Sequence, residues 1–191
     1  MDKRDEDLIH EYQLGNEEAL TMLFERYKRP ILNYALRILG NRADAEDVAG
    51  EVFLALFEKK DSYQPQAKFS TWLYTIARNN CISRIRKRKF QISLWFEKDE
   101  TGELQCLDIP DDKNLPPQEL ARKETSFYLR RAIAKLPLEQ KEALILREYQ
   151  QLSYEEISQV LGCSLEKVKV VIFRAREKLR EELPSFIKEE R

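Results

Sequence analysis

The sequence predicts an all-α protein of two small helical domains joined by an acidic linker, and three observations predict it. Apolar residues recur at spacings of three and four along most of the 191 residues. Only 5 glycines and 7 prolines punctuate them, too few for a turn-rich β protein or a disordered chain. The helical period fails over one long stretch, Gln91 to Pro117, where Thr101-Gly102, Ile109-Pro110-Asp111-Asp112 and Leu115-Pro116-Pro117 mark irregular chain. The expected division is a domain at 1–95, a linker at 96–117 and a domain at 118–191.

In the first domain, Asn16 caps a helix whose stripe is Ala19, Leu20, Leu23, Phe24 and Tyr27. Pro30 is expected to bend or interrupt it; Ile31, Tyr34, Ala35, Ile38 and Leu39 resume the stripe until Gly40-Asn41 stops it. A helix from about Arg42 to Lys59 buries Val48, Val52, Phe53, Leu56 and Phe57. Asp61 to Gln66 is a loop, and Ser70 or Thr71 caps a helix reaching about Phe90, with Trp72 and Ile76, and Leu73 beside them, turned inward. In the second domain, helical periods run from Gln118 to about Leu136 and from Pro137 to about Tyr149.

A helix-turn-helix follows. Ser153-Tyr154-Glu155-Glu156 has the pattern of a capping box, in which the serine hydroxyl and the glutamate carboxylate each satisfy the other's backbone N–H. Ile157, Val160 and Leu161 form the inner face of a short helix. Gly162 suits the left-handed residue after it, and Ser164 caps a second helix with the inner stripe Val168, Ile172, Ala175 and Leu179. As far as Arg180, that second helix carries six bases against Glu166 and Glu177, a net of +4 on the helix that such units place in a DNA groove.

The 33 basic and 34 acidic side chains leave a net charge of −1, which taken whole speaks against a nucleic-acid partner. The charges are segregated, however. Asp44, Glu46, Asp47 and Glu51 give −4 over eight residues, Arg78 to Lys89 give +6 without an acid, and Glu97 to Lys113 give −5. The basic run follows Phe69, Trp72 and Tyr74, and aromatics beside a phosphate-binding stripe suit unpaired bases, although these three also serve as core.

Other chemistries are excluded. One histidine, His10, and no Cys-x-x-Cys pair argue against a zinc site or a histidine-based triad. Three isolated cysteines, Cys81, Cys106 and Cys163, fit a reducing cytosol, with Cys81 and Cys163 expected as small buried side chains. No apolar run reaches the ~20 residues of a membrane span, and the charged start is no secretory signal.

Asp44-Ala45-Glu46-Asp47-Val48-Ala49-Gly50-Glu51-Val52-Phe53 resembles the acidic helix of bacterial sigma factors. Phe69-Ser70-Thr71-Trp72-Leu73-Tyr74-Thr75-Ile76-Ala77-Arg78-Asn79 resembles their promoter-melting segment. Leu152 to Ile157 and Ile172 to Leu179 resemble the helix-turn-helix of their last domain. The resemblance runs in order along nearly the whole chain and is closest to the extracytoplasmic-function group, which keeps sigma domains 2 and 4 and a linker.

It implies a non-enzymatic, cofactor-free and metal-free transcription initiation subunit of the bacterial cytoplasm. Its partners would be core RNA polymerase (the clamp helices of the largest subunit and the flap region), promoter DNA and an anti-sigma factor, with no insertion into a membrane. Asp44, Glu46, Asp47 and Glu51 would meet polymerase. Phe69, Ser70, Thr71, Trp72, Arg78, Asn79, Arg84, Arg86 and Lys87 would take the −10 element as a single strand, with a base flipped into the loop from Tyr63 to Phe69. Ser164, Lys167, Lys169, Val170, Phe173, Arg174 and Arg176 would face the −35 element, and the linker would thread toward the polymerase channels.

Two departures stand out. Gly50 replaces the glutamine usual in the acidic helix. Glu166-Lys167 and Val170-Val171 stand where Gly-Thr and Ser-Arg are common. Val170 lies about 200° around the helix from Val168 and is expected outside the core. It could touch a thymine methyl group, or with Val171 it could widen a protein contact such as one with an anti-sigma factor. Two other functions remain in view: a free-standing helix-turn-helix repressor, which would need a dimer seam that is not evident, and an all-helical interaction adaptor. Neither needs the segment from Phe69 to Asn79.

Overall fold

Helices dominate the described residues of the computed structural model, 3–64, 67–95 and 117–183, and no β-strand occurs among them. In chain order they are α1 (Asp5–Gln13), α2 (Glu17–Leu39), α3 (Arg42–Glu58), α4 (Phe69–Trp95), α5 (Pro117–Ala134), α6 (Leu138–Glu148), α7 (Tyr154–Leu161) and α8 (Leu165–Glu182). A 3-10 turn at Lys60–Ser62 joins α3 to α4. The acidic stretch from Glu97 to Lys113 lies outside the described residues.

α1 is a helix beyond those expected from the sequence. Its three apolar residues, Leu8, Ile9 and Tyr12, are all buried against the first unit. Asp5, at its start, pairs with Arg26 and accepts from the Tyr27 hydroxyl of α2. α2 runs unbroken through Pro30, a correction to the expected interruption. The proline removes one backbone donor, and the burial of Ile31, Tyr34, Ala35 and Ile38 beyond it outweighs that loss. Gly40 ends the helix in the left-handed region at φ 69°, its N–H reaching the Leu36 carbonyl at 2.9 Å, and the Asn41 side chain accepts from the Asp44 N–H to start α3.

Several inward-facing assignments change. On α3, Val48, Val52 and Leu56 are buried as expected, but Phe53 is half-buried and Phe57 is exposed. On α4 it is Leu73 that is fully buried, whereas Trp72 and Ile76 are half-buried. α4 starts at Phe69, ahead of the expected serine or threonine cap, and the Glu6 carboxylate of α1 accepts from the Phe69 N–H at 3.2 Å. That cap comes from 63 residues away, beyond any local pattern.

α1 to α4 form one helical unit and α5 to α8 another, and the two pack on each other: α4 lies against α7, and α2 against α6. Their buried side chains make one continuous apolar cluster, from Leu8 in α1 to Ala175 in α8. Polar contacts cross the same boundary. The Tyr74 hydroxyl donates to the Gln150 side chain, Lys68 pairs with Glu156 at 2.9 Å, and the Arg37 guanidinium lies 4.0 Å from the Tyr149 ring centre.

Candidate functional site

The acidic face of α3 comes first, because its geometry alters the assignment of a neighbour. Asp44, Asp47 and Glu51 fall at spacings of three and four and share one side of the helix. Arg84 of α4 lies across from them: its Nη1 is 3.3 Å from Asp44 and 2.9 Å from Asp47, and its Nη2 is 2.7 Å from Glu51. The hydrogen bonds to Glu51, above all, and to Asp47 raise the guanidinium pKa beyond its ordinary value. Glu46 points elsewhere and pairs with Arg42 at 2.8 Å. The resemblance groups Arg84 with the bases of the −10 strand; in the structure its guanidinium lies among three carboxylates.

α4 holds the remaining residues assigned to the −10 strand. Phe69 is fully buried, its ring 5.5 Å from Tyr27, 5.8 Å from Tyr63 and 5.9 Å from Trp72. Thr71 is buried as well. Both therefore support the surface from beneath and present no face to a base. Ser70 and Trp72 are half-buried, and Asn79, Arg86 and Lys87 are exposed. The preceding loop is braced by the Tyr63 hydroxyl, which donates to the Ala67 carbonyl at 2.9 Å.

Arg78 is held by the second unit. Its Nε lies 3.1 Å from the Glu142 carboxylate of α6, whose side chain is only 2% exposed. The two atoms miss hydrogen-bond alignment, so their attraction is that of an ion pair. Burial above all raises the Glu142 pKa, and Arg78 pulls it the other way. A glutamate in the midst of Lys141 and Ala143 to Leu146 carries no sequence signal for this role; only the packing of α6 reveals it.

The helix-turn-helix forms as expected. The Ser153 N–H donates to the Glu156 carboxylate at 2.6 Å and the Glu156 N–H to the Ser153 hydroxyl at 3.2 Å. Gly162 is left-handed at φ 64°, and the Ser164 hydroxyl accepts from the Lys167 N–H. Along α8, Ser164, Lys167, Lys169, Val170, Phe173, Arg174 and Arg176 are all exposed. Lys167 pairs with Glu139 and Arg176 with Glu148, both on α6. Val170 is 46% and Phe173 64% exposed, an apolar pair one helical turn apart. Val171, by contrast, is buried, which corrects the expectation that both valines could widen a protein contact.

Cys81 is buried as expected, its thiol pushed up to about 12 chiefly by that burial; Cys163 is only half-buried. No helix among the described residues is long and apolar enough to cross a membrane, and no cluster of metal-ligating side chains occurs among them.

Comparison with known proteins bears on both units. The family model for sigma-70 region 2 matches residues 23–91, and that for sigma-70 region 4 matches residues 126–179. The ECF RNA polymerase sigma factor SigW of Bacillus subtilis (strain 168) is 36% identical over 92% of this chain and 94% of its own length. The ECF RNA polymerase sigma-E factor of Escherichia coli (strain K12) is 30% identical over 96% of each chain. Among solved structures, CnrH in complex with the cytosolic domain of CnrY aligns with a TM-score of 0.67 at 24% identity, over 93% of this chain and 95% of that one. The sigma factor RpoE, in complex with the anti-sigma factor NepR from Bartonella quintana, aligns with a TM-score of 0.66 at 24% identity, over 90% of this chain and 98% of that one. These two likenesses show the shared all-helical fold.

Proposed function

The chain belongs to the extracytoplasmic-function group of the sigma-70 family, and on that premise we propose that it binds core RNA polymerase and directs it to promoters by reading −35 as duplex and −10 as single strand. It is a non-enzymatic transcription initiation factor; bond making belongs to the polymerase. The observation that carries the proposal is the presence of two different exposed basic surfaces in one chain. α8 presents four exposed bases, Lys167, Lys169, Arg174 and Arg176, around an exposed apolar pair, as major-groove recognition requires. α4 presents Asn79, Arg86 and Lys87 beyond the half-buried Ser70 and Trp72, a surface for one unpaired strand. Asp44, Glu46, Asp47 and Glu51 of α3 are the proposed contacts to the polymerase clamp helices.

The packed arrangement is proposed to part on the promoter. α4 and α8 both pack against α7, so where they flank it their axes are at most about 20 Å apart at ordinary helix spacing. The −10 and −35 elements are about 25 base pairs apart, roughly 85 Å along B-DNA. The 21 residues between α4 and α5, 96–116, can extend to about 70 Å, so they can bridge most of that distance. Parting would also release Arg78 and Tyr74 from Glu142 and Gln150 for the strand. A protein that holds the two units together would oppose this, which makes an anti-sigma factor the second proposed partner.

Run-off transcription with purified core polymerase on genomic fragments, followed by start-site mapping, tests the function. Defined starts that depend on this chain are the expected result; footprinting of duplex DNA by the chain alone, without polymerase-dependent starts, would mark a repressor instead. In the same assay Val170→Ser should change the preference at one −35 thymine, because the methyl contact is lost. An unchanged −35 profile would remove Val170 from the reading surface.

A further inference from the structure

Arg84 differs from the other cations of α4 in what surrounds it. Arg86 and Lys87 are exposed, whereas the Arg84 side chain is 26% exposed and lies against Asp44, Asp47 and Glu51. The carboxylates are the more accessible partners, with Asp47 at 62% and Glu51 at 48% exposure. The cation is thus beneath and the acids are outward. An approaching phosphate would meet the carboxylates before the guanidinium and would be repelled by them.

We propose that Arg84 is a positioning residue of the polymerase-binding face of α3 rather than a contact to promoter DNA. The inference rests on the reading that these acids meet polymerase. Three like charges on one side of a helix repel and would splay into separate rotamers. A guanidinium with five N–H donors in a fixed plane satisfies all three at once and holds their side chains in one array. Each carboxylate has two oxygens and up to four acceptor sites, so a second cation can still bind from outside. The ordering is done before the partner arrives, and less side-chain entropy is lost on binding. Arg84 also sets the charge of the face: with Arg42 on Glu46, two cations now stand among the four acids.

The requirement for a planar fork predicts that lysine fails here. A lysine ammonium is a compact point charge on a flexible stem and cannot span carboxylates at three helical positions. The sequence itself gives no hint of this, because Asp44 and Arg84 are 40 residues apart and each sits in a run of its own sign.

Affinity for core RNA polymerase, measured with the full chain by fluorescence anisotropy, tests the role. Arg84→Gln should weaken binding about 5- to 10-fold, in line with the loss of one charge-assisted network, and Arg84→Lys should restore less than half of that loss. In an Asp47→Asn, Glu51→Gln background, which should itself bind weakly, Arg84→Gln should add little, because two of its three charged partners are gone and only Asp44 remains. The salt slope of promoter binding by the holoenzyme should be unchanged by Arg84→Gln. A core affinity within twofold of wild type for Arg84→Gln, or a promoter salt slope reduced by about 1, overturns the proposal and returns Arg84 to the phosphate stripe. A double carboxamide variant that binds core as tightly as wild type overturns instead the reading of the acids. A weak double variant beside an indifferent Arg84→Gln overturns the role of Arg84 alone.

Discussion

Arg78 and Arg84 are six residues apart on one helix and belong to the same basic run, yet they do different work. Arg84 meets three carboxylates of its own unit at a water-exposed face, where partners can exchange and salt screens the attraction. Arg78 meets one carboxylate from the other unit, and that carboxylate is almost wholly removed from water. Between the two arginines lies Cys81, buried, with Glu142 and Glu51 both adding to the rise in its thiol pKa. The contrast teaches that a run of bases is not one functional surface. Each cation acquires the role that its facing helix assigns, and only the residues past Arg84 remain turned to solvent.

The largest expected effect breaks the pair at the boundary. Arg78→Ala leaves the Glu142 carboxylate buried without its cation, a loss of about 3 kcal/mol, read by urea denaturation. The sign with pH follows from Glu142, whose pKa in the packed state is raised. Its protonated form favours packing, a contribution fully present below the carboxyl's unfolded value and lost as pH rises through the packed-state value. The penalty of Arg78→Ala should therefore shrink as the medium is acidified, because a neutral Glu142 needs no partner. A penalty independent of pH would place the effect elsewhere. With Cys106 and Cys163 changed to Ser, Cys81 reports the same event by alkylation. At pH 8 a thiol titrating near 12 is thiolate in roughly one molecule in ten thousand, so wild type should label slowly and Arg78→Ala faster.

Arg84→Gln should cost at most about 1 kcal/mol by the same denaturation, the range of an exposed ion-pair network, and should not alter the labelling of Cys81 through parting of the units. Equal costs at the two arginines would erase the distinction between them. The smallest effect is a gain. Gly50 is exposed within α3, has ordinary helical backbone, and an added Cβ would meet nothing within 4 Å. Gly50→Ala should therefore stabilise the chain by about 0.5–1 kcal/mol. No loss of affinity for core polymerase should follow, since the Arg84 array is untouched; a loss would show that the partner approaches the backbone there.

The helix-turn-helix was legible almost to the atom because its signals are local. Capping box, left-handed glycine and serine cap each act over no more than five residues, and the structure forms each one. The inward stripe of α8 was equally plain, with Val168, Ile172 and Ala175 buried. The α4 cap from Glu6, the continuity of α2 through Pro30 and the burial of Val171 were not. In each of these the deciding partner comes from another element: a carboxylate of α1, the surrounding helices that bury α2, and the neighbours of α8.

The sequence alone determined the helical class, the helix-turn-helix and the segregation of charge, since periodicity, capping and composition act over a few residues. Tertiary structure decided which charges face which: that Arg84 belongs to the acidic helix, that Arg78 belongs to the second unit, and that Phe69 and Thr71 are support rather than surface. The physical reason is range. A hydrogen bond or ion pair is decided by which atoms come within a few ångströms, and residues 40 or 64 positions apart are brought that close only by the packing of whole helices.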